Sequence, residues 1–554
     1  MPPLIERWPV VSSIGRMLNR GALRQRAYSI VEGDHNLTWK PEVEEIKRRV
    51  NLAKEMGGEA NVARQHAAGK LTVRERIDRL LDPGSFHEIG ALAGKATYEN
   101  GKLASFTPSN FVTGTGLIEG RRVVIGGDDF TVRGGAADAR IGDKAGFGER
   151  LALELRLPVV RLVDGTGGGG SVKTLETMQR TYVPANPSWD VAVALLSEVP
   201  VVGACLGSVA GLGAARVVTS HFSLMVKGTS QLFVAGPPVV ERGVGESVTK
   251  EQLGGSHIQS HGSGAVDNEV SSEEEAFDQI RRFLSYLPSS VWQAPPRQVP
   301  NDDSTRREKE LLSIIPRDRK RGYDVRRLIG LVVDKGSFFE MGRYYGRPLV
   351  AGLARLDGFP VGVIASDPMH GGGGLDASAS DKMIRLIDTC DTFHLPVVNF
   401  VDQPGFLIGS AAERAGTIRV GCRALAAVYQ ATVPWVSIIL RRVFGVAGAG
   451  HGNAQGLNLR YAWPSGDWGS LPIEGGVQAA YRREIEASPD PAARRQEIED
   501  TLNELRSPFR TAEAFGVEEI IDPRDTRPIL CDWAPMAYEV VRTQLGPKRR
   551  GCRP

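Results

Sequence analysis

Short apolar runs alternate with polar, glycine-rich turns along most of this chain, and the pattern is written twice. Phe111 to Leu117 and Arg122 to Ile125 read as strands around a Glu119-Gly120 turn, and Ala136 to Leu157 reads as a helix feeding the strand Pro158 to Val163. Strand, helix, strand in this order predicts parallel pairing through right-handed crossovers. Upstream, Pro41 to about Leu81 is a charged helical stretch with Val43, Ile46 and Val50 near helical spacing. The same signs return at a displacement of 238: Gly120 meets Gly358, Asp138 meets Asp376, Lys144 meets Lys382, and Leu157-Pro158-Val159-Val160 meets Leu395-Pro396-Val397-Val398. Asp164 and Gly167 fall on Asp402 and Gly405. Further on the displacement is 234, so Val199-Pro200 meets Val433-Pro434 and the turn at Gly211 meets that at Gly445. A repeat of this length is too long for a solenoid module and long enough to bury its own core. The pattern predicts a duplicated domain with two related pockets.

The expected divisions are a tail (1–40), a first domain (41–290), a proline-containing linker (291–322), a second domain (323–545) and a basic, solvated tail (546–554). In 554 residues a net charge of +3 offers no field for nucleic acid, and no apolar run approaches the length that spans a bilayer. The five cysteines, Cys205, Cys390, Cys422, Cys531 and Cys552, form neither a CxxC metal site nor a disulfide framework, so a reducing compartment is expected. Between Arg7 and Ser29 lie Arg16, Arg20, Arg24 and Arg26, with serines and no acid. That is transit-peptide composition, and it predicts the mitochondrial matrix, with the cytoplasm as the alternative.

The chemistry is carried by glycine turns. In each half an apolar run ends in an acidic loop, Val163-Asp164-Gly165 and Val401-Asp402-Gln403-Pro404-Gly405. A later run ends in a glycine turn, Val209-Ala210-Gly211-Leu212-Gly213 and Val443-Phe444-Gly445-Val446-Ala447. Peptide N–H groups exposed at such turns can hold a developing negative oxygen, so the pair suggests two oxyanion holes; taken singly, each turn could equally be a tight strand-to-helix connection. Gly165 to Gly170 satisfies G-x-G-x-x-G, but a glycine run does so cheaply and the second half lacks the motif. There is no G-x-S-x-G elbow, H-E-x-x-H or Walker loop. His370 and His451 read as loop residues, and Lys144 and Lys382 as members of local ion pairs.

Asp129-Phe130-Thr131-Val132-Arg133-Gly134-Gly135-Ala136, Met225-Val226-Lys227-Gly228-Thr229-Ser230, Glu251-Gln252-Leu253-Gly254-Gly255, Phe400 to Gly409 and Ala462-Trp463-Pro464 resemble the carboxyltransferase beta subunits of biotin-dependent acyl-CoA carboxylases, nearest the propionyl-CoA type. The likeness runs in order from about 41 to 545. It implies an α/β chain of two tandem crotonase-like ββα superhelix domains. The first would take an acyl-CoA through Gly134, Gly135, Gly167, Gly168 and Gly211, with Ala449 of the second domain on the acyl-CoA side; the second would take biotin through Gly405, Phe406, Gly445, Val446 and Ala447. The implied reaction moves a carboxyl group from carboxybiotin to the α- or vinylogous γ-carbon of the thioester. The N–H groups of Gly211 and Leu212 would hold one enolate and those of Val446 and Ala447 the other, with no side-chain base and no metal. Biotin would come on a biotin carboxylase/carrier (alpha) subunit, because this chain has neither an Ala-Met-Lys-Met site nor an ATP loop. A homo-hexameric core is also implied. A decarboxylase or transcarboxylase of the same family, or a non-catalytic scaffold subunit, are the alternatives.

The chain departs from the family where Gly-Gly becomes Gly211-Leu212, where Gly-Gly-Ala becomes Gly445-Val446-Ala447, and where Ser-Gly-Gly-Ala-Arg becomes Gly165 to Gly169. An aromatic residue and an aspartate become Gly448 and Ala449. The smaller pair predicts an acyl group larger than propionyl.

Overall fold

The computed structural model describes residues 38–136, 140–165, 171–183, 185–186, 188–452 and 459–554. The expected leader therefore lies, but for its last three residues, outside the described residues, as do Asp138, Gly167 and Gly168.

Two sheets carry the chain. The first has seven strands in the order His87–Ile89, Phe111–Ile118, Arg121–Asp128, Val159–Val163, Val201–Cys205, Phe222–Val226 and Asn268–Val270. Its first two pairings are antiparallel and the rest parallel, so each later strand needs a helical crossover. The second sheet repeats this with Phe339–Met341, Leu349–Leu356, Phe359–Ser366, Val397–Gln403, Trp435–Phe444, Leu459–Ala462 and Glu519–Ile520, and Asp467–Gly469 adds to the long strand Trp435–Phe444. Strands buried on both faces explain the uninterrupted apolar runs. The two sheets therefore share one topology, the duplication that the repeat predicts.

The structure adds a third displacement that the sequence hid. His87–Ile89 and Phe339–Met341 stand 252 apart, whereas the following strands stand 238 apart. The difference is the hairpin Gly94–Glu99 with Lys102–Pro108, inserted in the first half. With both displacements in hand, local devices repeat residue for residue. Asp82 accepts the N–H groups of Glu119 and Gly120, and Asp334 those of Asp357 and Gly358. Both turns need a left-handed pair (Glu119 φ 50°, Gly120 φ 77°; Asp357 φ 48°, Gly358 φ 78°), and the carboxylate bonds hold that conformation. The ion cluster Arg74–Glu88–Lys144 likewise repeats as Arg326–Glu340 with Lys382 nearby. Lys144 reaches Glu88 at 3.6 Å, while Lys382 donates to the carbonyls of Gly342 and Tyr345, so only the first lysine closes the ion pair expected of it.

Three expectations change. The stretch 41–81 is three helices, Lys40–Lys54, Glu59–Ala67 and Val73–Leu80, because Gly58 and Gly69 take left-handed φ and the Thr72–Glu75 capping box restarts the chain. The helix expected from Ala136 begins only at Lys144. The terminal basic run is docked rather than solvated: Lys548 donates to Thr432 Oγ1, Arg550 pairs with Asp388 at 3.0 Å, and Cys552 is buried.

One buried cluster spans both halves, from Val73 and Phe222 to Phe339 and Trp435. Phe339 meets Phe222 edge-on at 5.3 Å, and Arg385 grips Asp267 with two 2.7 Å bonds across the same junction. Beneath it His221 is fully buried, accepting the Val201 N–H at Nδ1 with Nε2 3.0 Å from the Leu196 carbonyl; burial pushes its pKa down to about 3. A depressed folded-state pKa means that the unfolded chain takes up the proton first, so this group's contribution is lost between about pH 6.5 and 3. We expect denaturant-derived stability to fall by roughly 2–3 kcal/mol from pH 7 to 4.5 through His221 alone, at about 1.4 kcal/mol per unit. A His221→Gln variant with an unchanged pH slope would contradict this.

Candidate functional site

In the first half, Ser208–Ala210 pairs in parallel with Gln231–Phe233 and delivers the chain to Gly211 (φ 60°, ψ −125°), after which Leu212–Val218 is helical. That backbone pair is open only to glycine. The Gly211 N–H, expected to be a donor, is already bonded to the Phe233 carbonyl at 3.2 Å, because the sheet ladder continues one residue into the turn. The N–H groups of Leu212, Gly213 and Ala214, the first three of the helix, have no partner among the described residues.

The second turn is the repeat of the first. Trp435–Phe444 pairs with Asp467–Gly469, Gly445 turns at φ 62°, and the N–H groups of Val446 and Ala447 have no partner among the described residues. In both turns the left-handed position is still glycine, while Leu212 and Val446 have negative φ. The departures from Gly-Gly therefore cost no backbone strain and leave the donors in place. The Val446 side chain points outward at 60% exposure, and Ala447 is buried in the shared core.

Buried ions hold both turns. Asp164, with no exposure, accepts from Gln65, Lys70 and Arg76, and Arg76 also grips Glu273. Asp402, equally buried, accepts from Arg441, Arg442 and Tyr323. Burial pushes the Asp402 carboxyl up, but the bonds and charges of Arg442 and Arg441 outweigh it and hold it below the ordinary range. Both aspartates are committed to holding the strand ends, so neither serves as a base. Past the second turn, the His451 carbonyl accepts from Asn399, Trp435 and Ser437, while the His451 ring bonds the Gly448 carbonyl at 2.7 Å. His370 instead bonds Arg347.

Beside the first turn lies a cleft of about 740 Å³ lined by Arg64, Lys70, Arg133, Gly134 and Lys250, with Ser208 at the end toward Gly211. Four cations in one cleft suit a phosphorylated ligand. Gly134 belongs to this wall. Gly135 instead lets two loops touch: a Cβ there would lie 2.8 Å from the Asp164 carbonyl. Arg64 and Lys70, at the end of one helix and just past it, share no sequence signal with Lys250, which comes from a segment 180 positions on.

On the second side, Gly405 (φ 122°) accepts the Leu375 N–H. Phe406, expected to face a ligand, packs its ring over Gly421, where a Cβ would meet it at 2.2 Å, and against the shared core; its role is to anchor the loop. Gly448 leaves no pocket either, since a Cβ there would meet the Val443 backbone at 2.9 Å. Ala449 is exposed on the turn. The vacancy expected from these two small residues is therefore not formed at Gly448. Among the described residues, no three metal-binding side chains gather.

The family model described as the carboxyl transferase domain matches residues 64–552. The propionyl-CoA carboxylase carboxyltransferase subunit of Haloferax mediterranei is 35% identical over 502 residues, 89% of this chain and 95% of that one. The methylmalonyl-CoA decarboxylase subunit alpha of Veillonella parvula is 32% identical over 516 residues, 93% and 99% of the two chains. Among solved structures, the transcarboxylase 12S hexamer with methylmalonyl-coenzyme A superposes with a TM-score of 0.82 at 34% identity, covering 93% of this chain and 98% of that one.

Proposed function

Because the chain belongs to the carboxyl transferase domain family, we propose that it is the carboxyltransferase component of a biotin-dependent acyl-CoA carboxylase. It would move a carboxyl group from biotin, borne by a carrier subunit, to the α-carbon of an acyl-CoA. The observation that carries this reading is the pair of repeat-related turns, each with unpartnered N–H groups, one of them opening beside a cationic cleft.

Biotin, when bound, supplies the carboxyl group and a basic ureido nitrogen. The chain does the rest by position and charge. Arg64 and Lys250 hold the coenzyme A phosphates, which leads the thioester past Ser208 to the first turn. There the N–H of Leu212, with that of Gly213 beside it, receives the thioester oxygen as it becomes an enolate. The N–H groups of Val446 and Ala447 face the ureido oxygen at the second turn. Fixed donors aimed at developing charge contribute several kcal/mol in a water-poor site, and this arrangement needs no side-chain base. The site residues are proposals on this geometry, as are the alpha-subunit partner and a hexameric core like that named for the 12S relative.

The test is reconstitution. Alone, the chain is expected to hydrolyse no ATP and fix no bicarbonate; with its biotin-bearing partner it gains acyl-CoA-dependent carboxylation. ATP-dependent carboxylation by the chain alone would sink the reading. The Veillonella relative favours a second one, removal of a carboxyl group from a malonyl-type ester. Decarboxylation with no forward reaction in the reconstituted complex would select it.

A further inference from the structure

Beneath the first turn, between the sheet and the helix Lys144–Leu155, lies a cavity of about 30 Å³ that reaches Gly213 at one end. Its lining is mostly aliphatic and glycine, but five ionisable groups also line it: Asp128, Arg140, Glu149, Arg161 and Arg216. Among the described residues, three cations face two carboxylates. Glu149 is occupied by Arg161 at 2.8 Å and by Arg216. Arg161 also donates from one nitrogen to the carbonyls of Arg216 and Thr219, while its other terminal nitrogen is buried with no hydrogen-bond partner. An unpaired guanidinium donor at 4% exposure is costly unless a ligand or water meets it.

The duplication shows that the fold itself does not require these charges. At the corresponding positions of the second half stand Ser366, Ser378, Ile387, Asn399 and Gly450, none of them ionisable. The same fold closes around those positions without charge, so the five groups belong to what the first half does and the second does not.

We propose that this cavity is a subsite for a carboxylate at the far end of the acyl group, so that the preferred substrate is the coenzyme A ester of a dicarboxylic acid. The cavity's volume matches about two waters, hence the two oxygens of one carboxylate. Its net charge with both acids ionised is positive, and an arginine fork suits a carboxylate better than a hydroxyl does. The far end is indicated because Arg161 meets the last turn of the helix Leu212–Val218, about 10 Å of helix from the donor at Leu212; a carboxyl on the α-carbon would lie at the near end. Burial pushes the Asp128 carboxyl up to about 6, which adds to the case for excess positive charge at mildly acidic pH. The inference rests on the acyl-CoA reading of the first half.

The experiment compares esters of equal length, valeryl- against glutaryl-CoA and hexanoyl- against adipyl-CoA, by kcat/KM in the reconstituted complex and by calorimetric Kd on the full chain. The dicarboxylic ester is expected to be favoured at least tenfold in one pair or both, and Arg140→Gln to cut that ratio at least tenfold, mainly through KM and Kd. Among the described residues Arg140 makes the fewest contacts of the three arginines; Arg161→Lys is the second variant. A plain ester preferred in both pairs, or a preference that survives both variants, would overturn the subsite. So would an Arg140→Gln protein that loses methylmalonyl-CoA as strongly as glutaryl-CoA, which would place the carboxylate at the α-carbon. Turnover of no ester at all would remove the carboxyltransferase reading, while the Kd ratios would still decide the subsite.

Discussion

Ala447→Pro is expected to lower carrier-dependent carboxylation by roughly two to three orders of magnitude, the usual cost of losing one oxyanion donor. Proline removes the Ala447 N–H, and no internal hydrogen bond is lost with it, because that group has no partner in the turn. The variant should keep its acyl-CoA affinity and far-UV circular dichroism. Gly211→Ala is the counterpart on the other side: a Cβ there meets nothing within 4 Å, so its effect comes only from forcing alanine into φ 60°, ψ −125°, at a cost of about 1–3 kcal/mol. Half-reactions should separate the two, Ala447→Pro failing in decarboxylation of carboxybiotin and Gly211→Ala failing in decarboxylation of a malonyl-type ester, each run without the other substrate. If both variants lose both half-reactions equally, or neither loses any, the division of labour between the turns is wrong.

The largest expected effect on stability lies at Arg76. It is buried beneath the first turn with Asp164 and Glu273 on either side, and the burial that pulls its pKa down is more than offset by the two carboxylates. Arg76→Ala leaves the buried Asp164 with Lys70 and Gln65, and the buried Glu273 with the Leu71 N–H and no cation among the described residues, an arrangement expected to cost about 3–5 kcal/mol. Arg49→Ala, which removes a surface pair with Glu45, should cost under about 1 kcal/mol. Thermal or denaturant unfolding of the two variants side by side checks this, and equal small shifts would show that the buried network adds no stability.

These residues also mark what the sequence conceals. The strands, the repeat and both glycine turns are legible because they depend on local signals: apolar runs, left-handed glycines, and the recurrence of both at fixed spacing. Arg76 sits in a stretch whose charges read as a solvated helix face. Nothing local reveals that its partners are Asp164 and Glu273, 88 and 197 positions away. The same reasoning failed at Gly211, where the motif is right but the ladder bond to Phe233 takes the expected donor. Phe406 is another case: its neighbours in sequence place it at a loop, but only the packing on Gly421 shows which way the ring turns. The third displacement was hidden because a polar hairpin of low apolar content shifts the count without altering any motif.

The shared core has a consequence for how the protein is made. Phe222, Phe277 and Phe283 lie on a face that is completed by residues of the second half, from Phe339 to Ala447. During synthesis at about 5–20 residues per second, the roughly 150 residues from Phe283 to Trp435 take some 8–30 s to emerge. For that interval a finished first sheet would stand with an aromatic face bare to the cytosol or to whatever holds the nascent chain. A ribosome pausing in that window, or a message truncated within it, should yield an aggregating product.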